Sequence, residues 1–472
     1  MTNVLLVTSN GVGMGHLTRQ AAVALALGPR HTPTLFSLSP GLPLATGMGL
    51  AGEYCPSYDR PWIEGREWHD YLKDRLIAIV EETGAEAVLF DGVAPYPGIG
   101  MASLRLRDVA FIWLRRGMWQ PGANTRQLRK AGYFDLIIEP EDLGGPADIS
   151  PTPTRGDLVQ VAPISLLEVV EPLSREEARR TLGLPDDATI AVITLGSGML
   201  GDVVGPGRVA TEEILRSTDW HLAIIRPAVA RAEVLAEESD RIHHIKGVYP
   251  LVSYLNAFDV AVSSAGYNAV HELIPAGLAT VLVANVSTRT DDQRARARNL
   301  ADRGIALAAE DSDPSGIRNA LAQLAEPSVR DSLAKRAAET RSAMRGAHEA
   351  ATVTAEFGER FERMEQRFGV SASLQVRKVK EWLKGVLGRE GTNRVRRVLG
   401  RPLMEGRRAE VVVVDGSPRD GGEESLPLVM SEEVTTAMLQ SDMPVEHMLP
   451  GASDAYRRRR RELVDTYYDV VG

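Results

Sequence analysis

A few side chains in this sequence have the chemistry for proton transfer or for binding hydroxyl groups. His16 follows a glycine-rich stretch, and an unperturbed imidazole titrates close to neutral pH. Glu272 offers two oxygens to a vicinal diol such as a ribose, while Asp292 and Gln293 together accept and donate hydrogen bonds, as sugar hydroxyls require. A lone His or Glu is more often a structural or solvated residue. The prediction of a binding site therefore depends on the order in which these residues occur along the chain.

The stretch 259–300 predicts the elements that would position the last three residues. Apolar and β-branched runs predict strands over Val260–Ser264 and Ala279–Ala284, with a helix carrying Glu272 between them. Gly266 precedes that helix, and a residue without Cβ lets the backbone pass close to a ligand. The free N–H groups at the start of the helix suit a phosphate. The alternation of strand and helix predicts a parallel sheet with its ligands at the strand ends.

The first predicted strand, Val4–Thr8, leads into a second candidate loop. Its pattern is Gly-x-Gly-x-Gly-His, which includes Gly13 and Gly15 and ends at His16. The dinucleotide fingerprint has its third glycine one residue later, so a nicotinamide cofactor is not indicated. We expect Gly13 and Gly15 to approach a sugar or phosphate of an acceptor, with His16 at the start of the following helix.

Polar residues also follow two further predicted strands, Ala87–Phe90 and Val109–Leu114. Asp91 follows the first, where it would either orient His16 in a catalytic pair or cap a turn. Arg115 and Arg116 follow the second, where they would either hold an anionic acceptor or form surface ion pairs.

Composition narrows the class of protein. The chain has 472 residues, which predicts two or three domains, and a formal net charge of −9, which argues against nucleic acid as a partner. One cysteine, Cys55, permits no internal disulfide, which is typical of a reducing compartment. The amino terminus lacks the basic segment of a signal peptide, and no run of 18 apolar residues occurs. We therefore expect a cytoplasmic protein.

The stretch 259–300 resembles the donor-binding half of the GT-B glycosyltransferases, in the branch that contains the N-acetylglucosaminyltransferase of lipid II synthesis. Gly266, Glu272 and Gln293 occupy the positions of that family's glycine turn, ribose-binding Glu and sugar-reading Gln. The sequence departs from the family at Ser264-Ala265, where the family has Arg-Ser, and at Arg294, where it has a second Gln. These departures leave the donor sugar open.

The resemblance implies further donor contacts in the second half of the chain. Gly196, Ser197 and Gly198 follow a predicted strand, Thr189–Thr194, and resemble the loop that touches the donor pyrophosphate. Val248 aligns with the backbone contact to the uracil edge, and Arg226 is a candidate phosphate ligand.

The fold that we predict is α/β, with two doubly wound Rossmann-like domains facing across a cleft and a C-terminal extension. Residues 1–163 would bind the acceptor and 172–342 the nucleotide sugar, while a helix in 343–369 would cross back to the first domain. Residues 370–472 lie outside the resemblance. Within them 374–387 is amphipathic and would either lie on an anionic membrane surface at the inner face of the membrane or dock onto the protein.

The predicted function is an inverting glycosyltransferase that uses a UDP-sugar, with His16 as the base or as a positioning residue for an acceptor. The sequence does not identify the acceptor, because lipid-linked glycans, wall polymers and small natural products all fit this scaffold. Because no Asp-x-Asp motif follows a predicted strand, neither a metal nor another cofactor is implied. Two alternatives remain open: a GT-B sugar-nucleotide 2-epimerase, and a non-catalytic protein that binds nucleotide sugars.

Overall fold

The computed structural model describes residues 1–9, 14–57, 65–121, 123, 125–145, 158–196, 202–226, 239–288 and 290–361. The amphipathic segment 374–387, the extension 370–472 and the last part of the predicted crossing helix lie outside these residues.

The first half of the chain forms a seven-stranded parallel sheet in the order β3-β2-β1-β4-β5-β6-β7. Its strands are β1 Asn3–Thr8, β2 Thr32–Ser37, β3 Ala51–Tyr54, β4 Ala87–Asp91, β5 Ala110–Leu114, β6 Leu136–Pro140 and β7 Leu158–Val161. Its α-helices are α1 Gly15–Leu27, α2 Leu42–Thr46, α3 Gly65–Thr83 and α4 Pro97–Arg105.

Every residue of β4 and β5 is buried. Continuous apolar runs of this kind are typical of central parallel strands, because helices cover both faces of such a sheet. The large side chains of this core include Phe90 and Trp113, each with no exposed surface. The buried strands give the residues at their carboxyl ends a rigid support.

The second half forms a six-stranded parallel sheet in the order β10-β9-β8-β11-β12-β13. Its strands are β8 Ile190–Thr194, β9 His221–Arg226, β10 Ile242–Lys246, β11 Val260–Ser264, β12 Ala279–Ala284 and β13 Leu307–Glu310. Its α-helices are α5 Arg175–Leu182, α6 Val204–Ser217, α7 Tyr267–Leu273, α8 Gln293–Asp302, α9 Pro314–Ala325 and α10 Pro327–Glu339. The predicted class, α/β with two doubly wound parallel sheets, is confirmed.

Both sheets reverse their strand order at one point, between β1 and β4 in the first and between β8 and β11 in the second. Helices leave opposite faces of the sheet at such a point and open a crevice at the carboxyl ends of the strands, where doubly wound proteins bind ligands. The candidate residues His16, Asp91, Gly196 and Gly266 all follow or end these four strands.

A last helix, α11 Gly346–Glu359, returns to the first sheet and packs against α1 and β4. A Cβ at Gly346 would come within 1.9 Å of the Ala162 carbonyl oxygen, so a glycine is required at this crossing. Glu168 accepts hydrogen bonds from the amide of Ala347, at 2.9 and 3.0 Å, and so places an anion at the amino end of α11.

The remaining helical segments are short 3₁₀ turns at Gly28–Arg30, Thr125–Tyr133, Leu166–Glu168, Leu251–Ala257 and Thr340–Ala343. The structure adds two strands that the sequence did not predict, β3 and β13, both at sheet edges. Short edge strands carry a weak apolar signal because one side of each is unpaired. Among the described residues, no helix is both long and apolar enough to cross a membrane.

Candidate functional site

His16 and Asp91 meet at the reversal point of the first sheet. His16 lies in the first turn of α1, directly after β1, and Asp91 is the last residue of β4, the neighbouring strand. The Nδ1 atom of His16 lies 2.7 Å from Oδ1 of Asp91. The structure therefore brings together the two residues that the sequence proposed as a catalytic pair, while their role in catalysis stays a prediction.

Arg19 completes this cluster. Its Nε donates to Oδ2 of Asp91 at 2.9 Å and its Nη2 donates to Oδ1 at 2.7 Å, a forked pair that is almost fully buried. The same Nη2 lies 2.9 Å from Nδ1 of His16. Since carboxylates only accept and guanidinium groups only donate, the shorter contact favours a proton on Nδ1 that is donated to Asp91. The Nε2 atom of His16 is then the unprotonated nitrogen.

The protonation states follow from burial and these charges. Burial lowers the pKa of His16, the charge of Asp91 raises it, and Arg19 and Arg116 lower it, with a net pKa below the usual value. Burial alone would raise the pKa of Asp91, but the charges of Arg19 and His16 hold it below its ordinary value. At neutral pH the cluster thus contains a neutral imidazole, a carboxylate and a guanidinium, which is the state that a general base requires.

A cavity beside His16 is lined by both halves of the chain. The first half contributes His16, Asp91, Gly92, Val93, Arg116, Gly117 and Trp119, and the second half contributes Thr290 and Asp291. Trp119 is buried and donates from Nε1 to the Arg116 carbonyl oxygen at 2.9 Å, which fixes its indole in the wall. The candidate base therefore faces a space between the two sheets.

The loops that line this cavity are bonded to each other. The amide of Gln120 donates to the Thr290 carbonyl at 2.7 Å, and the amide of Asp292 donates to the Met118 carbonyl at 2.9 Å. Trp119 and Asp291 form an antiparallel bridge between these bonds. The start of α8 is thereby attached to the loop after β5.

A buried arginine reinforces this junction. Arg296 of α8 has no exposed side-chain surface, and its Nε donates to Asp142 of the first half while its Nη2 donates to Asp291, both at 2.8 Å. Burial would lower the pKa of Arg296, but the two carboxylates raise it above the ordinary value. Arg116 reaches Asp291 at 3.4 Å, so this carboxylate lies between two arginines.

In the second half, two of the candidate donor residues, Gly196 and Gly266, lie at the reversal point of that sheet. Gly196 follows β8 with a φ of 93°, a conformation that favours glycine, and Gly266 is the N-cap residue of α7. Glu272 is half-buried in α7, and its carboxylate has no hydrogen bond or ion pair among the described residues. Burial raises its pKa to about 8.

Residues 231–351, which contain Glu272, match the family model of the glycosyltransferase family 28 C-terminal domain. The chain resembles the GT-B glycosyltransferases. This match and the two parallel sheets support the predicted resemblance and the predicted class of function, a glycosyltransferase.

Solved structures share the GT-B fold of this chain. The spinosyn rhamnosyltransferase SpnG complexed with thymidine diphosphate is 17% identical with a TM-score of 0.52, over 75% of this chain and 98% of that one. A protein described as a UDP-N-acetylglucosamine 2-epimerase from Listeria monocytogenes is 14% identical with a TM-score of 0.53, over 77% and 98%. MurG from Acinetobacter baumannii is 18% identical with a TM-score of 0.49, over 75% and 100%. No curated protein sequence matches the chain.

The two residues proposed to read the donor sugar have structural partners in this GT-B chain. Asp292 is the N-cap of α8 and accepts from the Ala295 amide at 3.0 Å. Oε1 of Gln293 accepts from the Asn285 amide at 3.1 Å, and its side chain also bonds Asp291. Both follow Asp291, which lines the cavity, and a sugar would have to exchange with these bonds.

The other predicted contacts vary in their placement. Arg115 is buried and bonded to Glu139 at 2.9 and 3.1 Å, so this placement does not support a contact with an acceptor. Gly15 opens α1, and a Cβ there would meet no atom within 4 Å. Arg226 ends β9 and Val248 follows β10 half-buried. Three further predicted residues lie outside the described part of the chain: Gly13, Ser197 and Gly198.

One Asp-x-Asp sequence does follow a strand of the structure. The added strand β13 ends just before Asp311-Ser312-Asp313, an Asp-x-Asp sequence. Asp313 is the N-cap of α9 and accepts from the Gly316 amide at 2.9 Å, and Asp311 accepts from the Val286 amide at 3.3 Å. Across the described residues, no three His, Cys, Asp or Glu side chains are grouped to hold a metal.

Sequence reasoning did not assign a role to Arg19, Trp119 or Arg296. For Arg19 a signal was present, because residues three apart on a helix share a face and Arg19 follows His16 by three. The placement of Trp119 and Arg296 depends on loops from both halves, and no local pattern in the sequence reports it.

Proposed function

We propose that this chain is an inverting glycosyltransferase that moves a hexose or an N-acetylhexosamine from a UDP-sugar to the hydroxyl group of an acceptor. The observation that carries the proposal is the cluster of His16, Asp91 and Arg19 beside a cavity that both halves line. The family 28 domain in the second half supports a sugar nucleotide as the donor.

In the proposed reaction, Nε2 of His16 takes the proton of the acceptor hydroxyl as its oxygen attacks the anomeric carbon. The bond between that carbon and the diphosphate oxygen breaks on the opposite face, and UDP leaves with the electron pair. In-line displacement inverts the anomeric centre. Asp91 stabilises the imidazolium that forms, as the third member of a catalytic triad does.

We propose that the leaving diphosphate is stabilised by backbone N–H groups after β8 and at the start of α7, without a metal. Aligned peptide dipoles at a helix start favour an anion. Glu272 would accept hydrogen bonds from the ribose hydroxyls, and Gln293 would read the sugar. Turnover that persists in excess EDTA would agree with this proposal.

The donor is tested by calorimetric titration with UDP-, GDP- and dTDP-sugars, followed by assays of donor hydrolysis and transfer. We expect UDP-sugars to bind most tightly. The dTDP-sugars are included because the similar rhamnosyltransferase is complexed with thymidine diphosphate. Tight binding of a GDP- or dTDP-sugar without binding of a UDP-sugar would overturn the donor assignment.

A 2-epimerase is the second candidate, because one structure of similar fold is described as such. The two functions differ in their products. A transferase moves the labelled sugar to a second molecule, whereas an epimerase leaves the label on an isomerised nucleotide sugar.

Two further proposals concern the cellular compartment of this protein and its contact with a membrane. We propose that it is cytoplasmic and that residues 374–387 attach it weakly to the inner face of a membrane, to which basic amphipathic helices bind. Sedimentation with vesicles containing anionic lipid tests this, and binding equal to that of a chain truncated at residue 369 would contradict it.

A further inference from the structure

The side chain of Asn268, in the second half, bonds to residues before and after His16, the candidate base. Asn268 lies on α7, two residues after Gly266. Its Nδ2 donates to the carbonyl oxygen of Gly15 at 3.0 Å, and its Oδ1 accepts from Nη1 of Arg19 at 3.2 Å. Gly15 and Arg19 stand on either side of His16 in α1, so the helix at the donor site is bonded to the helix that carries the base.

Arg19 is held from several directions. Its side chain is 2% exposed, and its Nε and Nη2 are used by Asp91 while Nη1 is used by Asn268. The guanidinium carbon also lies 5.2 Å from the ring centre of Tyr267, the first residue of α7. A planar guanidinium bonded at both ends loses its freedom to turn, which fixes the carboxylate that orients His16.

We propose that Arg19 and Asn268 are positioning residues for His16: Arg19 fixes the imidazole and its carboxylate partner, and Asn268 holds Arg19 in place from the other half of the chain. The proposal rests on the function proposed above. It implies that the base is oriented for proton transfer while α7 lies against α1, so that the donor-binding half takes part in assembling the base.

The charged groups that face His16 come from three elements. They are Asp91 at the end of β4, Arg19 on α1 and Arg116 after β5. The two arginines disfavour the imidazolium and the carboxylate favours it. Arg19→Gln should therefore raise the pKa of His16, whereas Arg19→Lys keeps the charge and should restore most of the original value. Asn268→Ala is neutral and should change the orientation of the ring more than its pKa.

Nitrogen-15 NMR of the histidine rings in the full chain tests this without any substrate. The His16 signals are assigned by their loss in His16→Ala. We expect the wild-type signals to report a proton on Nδ1 and a pKa below the ordinary value. Asn268→Ala should shift the Nδ1 signal, and Arg19→Gln should move the titration to higher pH.

Asn299→Ala is the matched control. Asn299 of α8 is also half-buried and also donates from Nδ2 to a first-half carbonyl, that of Gly144 at 2.7 Å, but it does not line the cavity. This control should leave the His16 signals unchanged. If Asn268→Ala gives the same His16 signals as Asn299→Ala, the positioning proposal is wrong.

The kinetic readout separates this proposal from the proposed function. With UDP-sugar as donor, Asn268→Ala should lower kcat about tenfold or more, the effect of losing a hydrogen bond to a charged group, with little change in the donor KM. A raised donor KM with normal kcat would make Asn268 a donor contact and overturn the proposal. Normal turnover in His16→Ala would instead contradict the proposed base, while the NMR result still decides the positioning role.

Discussion

The candidate sites of the two halves differ in whether their carboxylates have bonding partners within the protein. At the carboxyl end of β4 in the first sheet, Asp91 accepts hydrogen bonds from Arg19 and contacts His16, so its charge is compensated within the protein. In α7 of the second half, Glu272 is half-buried, its carboxylate has no bonding partner among the described residues, and its pKa is raised to about 8. Burial of an unpaired carboxylate is unfavourable, and an arriving ligand can relieve that cost. This difference agrees with the proposal of a preassembled base at His16 and of a donor site at Glu272 that a ligand completes.

The largest effect should come from removing the base. His16→Ala should lower turnover about 10²–10⁴-fold, the usual contribution of general acid–base catalysis. Donor affinity should remain nearly intact, because His16 lies in α1 of the first half of the chain and the proposed donor contacts lie in the second half. Steady-state kinetics and calorimetry with the same UDP-sugar measure the two quantities.

The control for this variant is His31→Ala, because the imidazole of His31 accepts from the Thr2 amide in another part of the first sheet. It should turn over normally. Loss of UDP binding in His16→Ala would mean that the first loop is a donor site, and the division of labour between the sheets would be reversed.

Asp91→Asn should lower turnover less than His16→Ala does, because an amide stabilises the imidazolium less well than a carboxylate while the imidazole itself remains. The double variant with His16→Ala should be scarcely slower than His16→Ala alone, since members of one catalytic unit are not additive. Stability should also fall, because Arg19 is left buried with a neutral partner. Additive losses of rate in the double variant would show that the two residues act separately.

Glu272→Ala should weaken UDP binding by about 1.5–3 kcal/mol, the range for a hydrogen bond to a charged group. Folding should not suffer, because no described residue bonds this carboxylate. Glu177→Ala, on the surface of α5, is the control. An unchanged dissociation constant measured by calorimetry would rule out the ribose contact.

The raised pKa of Glu272 predicts a dependence of donor binding on pH. In the empty site Glu272 is largely protonated below about pH 8, and the hydroxyls of a ribose donate best to the ionised form. UDP affinity should therefore rise with pH up to about 8, by at most about tenfold per unit, and then level off. In Glu272→Gln the slope should vanish.

The raised pKa of Glu272 also makes folding stability depend on pH. Stability should fall as pH rises, whereas donor affinity should rise. A folded-state pKa above the unfolded value means that the folded chain binds this proton more tightly, so the contribution is complete below the unfolded pKa of 4.5 and is lost as pH rises through about 8. Thermal melts across this range should fall more steeply for the wild type than for Glu272→Gln. Parallel curves would contradict the raised pKa.

The smallest effect is expected from Gln293→Ala. UDP itself should bind nearly as before, while the preference among UDP-sugars should relax by a few-fold, since the proposed contact is to the sugar. Competition titrations with UDP and two UDP-sugars measure the ratio. An equal fall of all affinities would instead reflect the loss of the bond from the Asn285 amide to Gln293.

Much of the fold could be predicted because its strands are buried on both faces. Val260–Ser264 and Ala279–Ala284 were predicted with the bounds that the structure has, since each is a short run of apolar, β-branched and small residues. The edge strands β3 and β13 were missed. Asp292, which was predicted to read the donor sugar, caps α8, a role that an acid at a helix start often has. A polar residue at a helix start can cap the helix or bind a ligand. Which role it takes depends on neighbours that are distant in the sequence.

The sequence by itself determined the order of the central strands and the placement of His16, Asp91 and Glu272 at or near strand ends, because burial and backbone preferences act over a few residues. Only the tertiary structure decided which charges meet. Arg19 and Asp91 are 72 residues apart, and Arg19 and Asn268 are 249 apart, yet each pair is within hydrogen-bonding distance. A side chain chooses among partners by distance and desolvation in the folded chain, and the reversal points of the two sheets are where this chain brings those partners together.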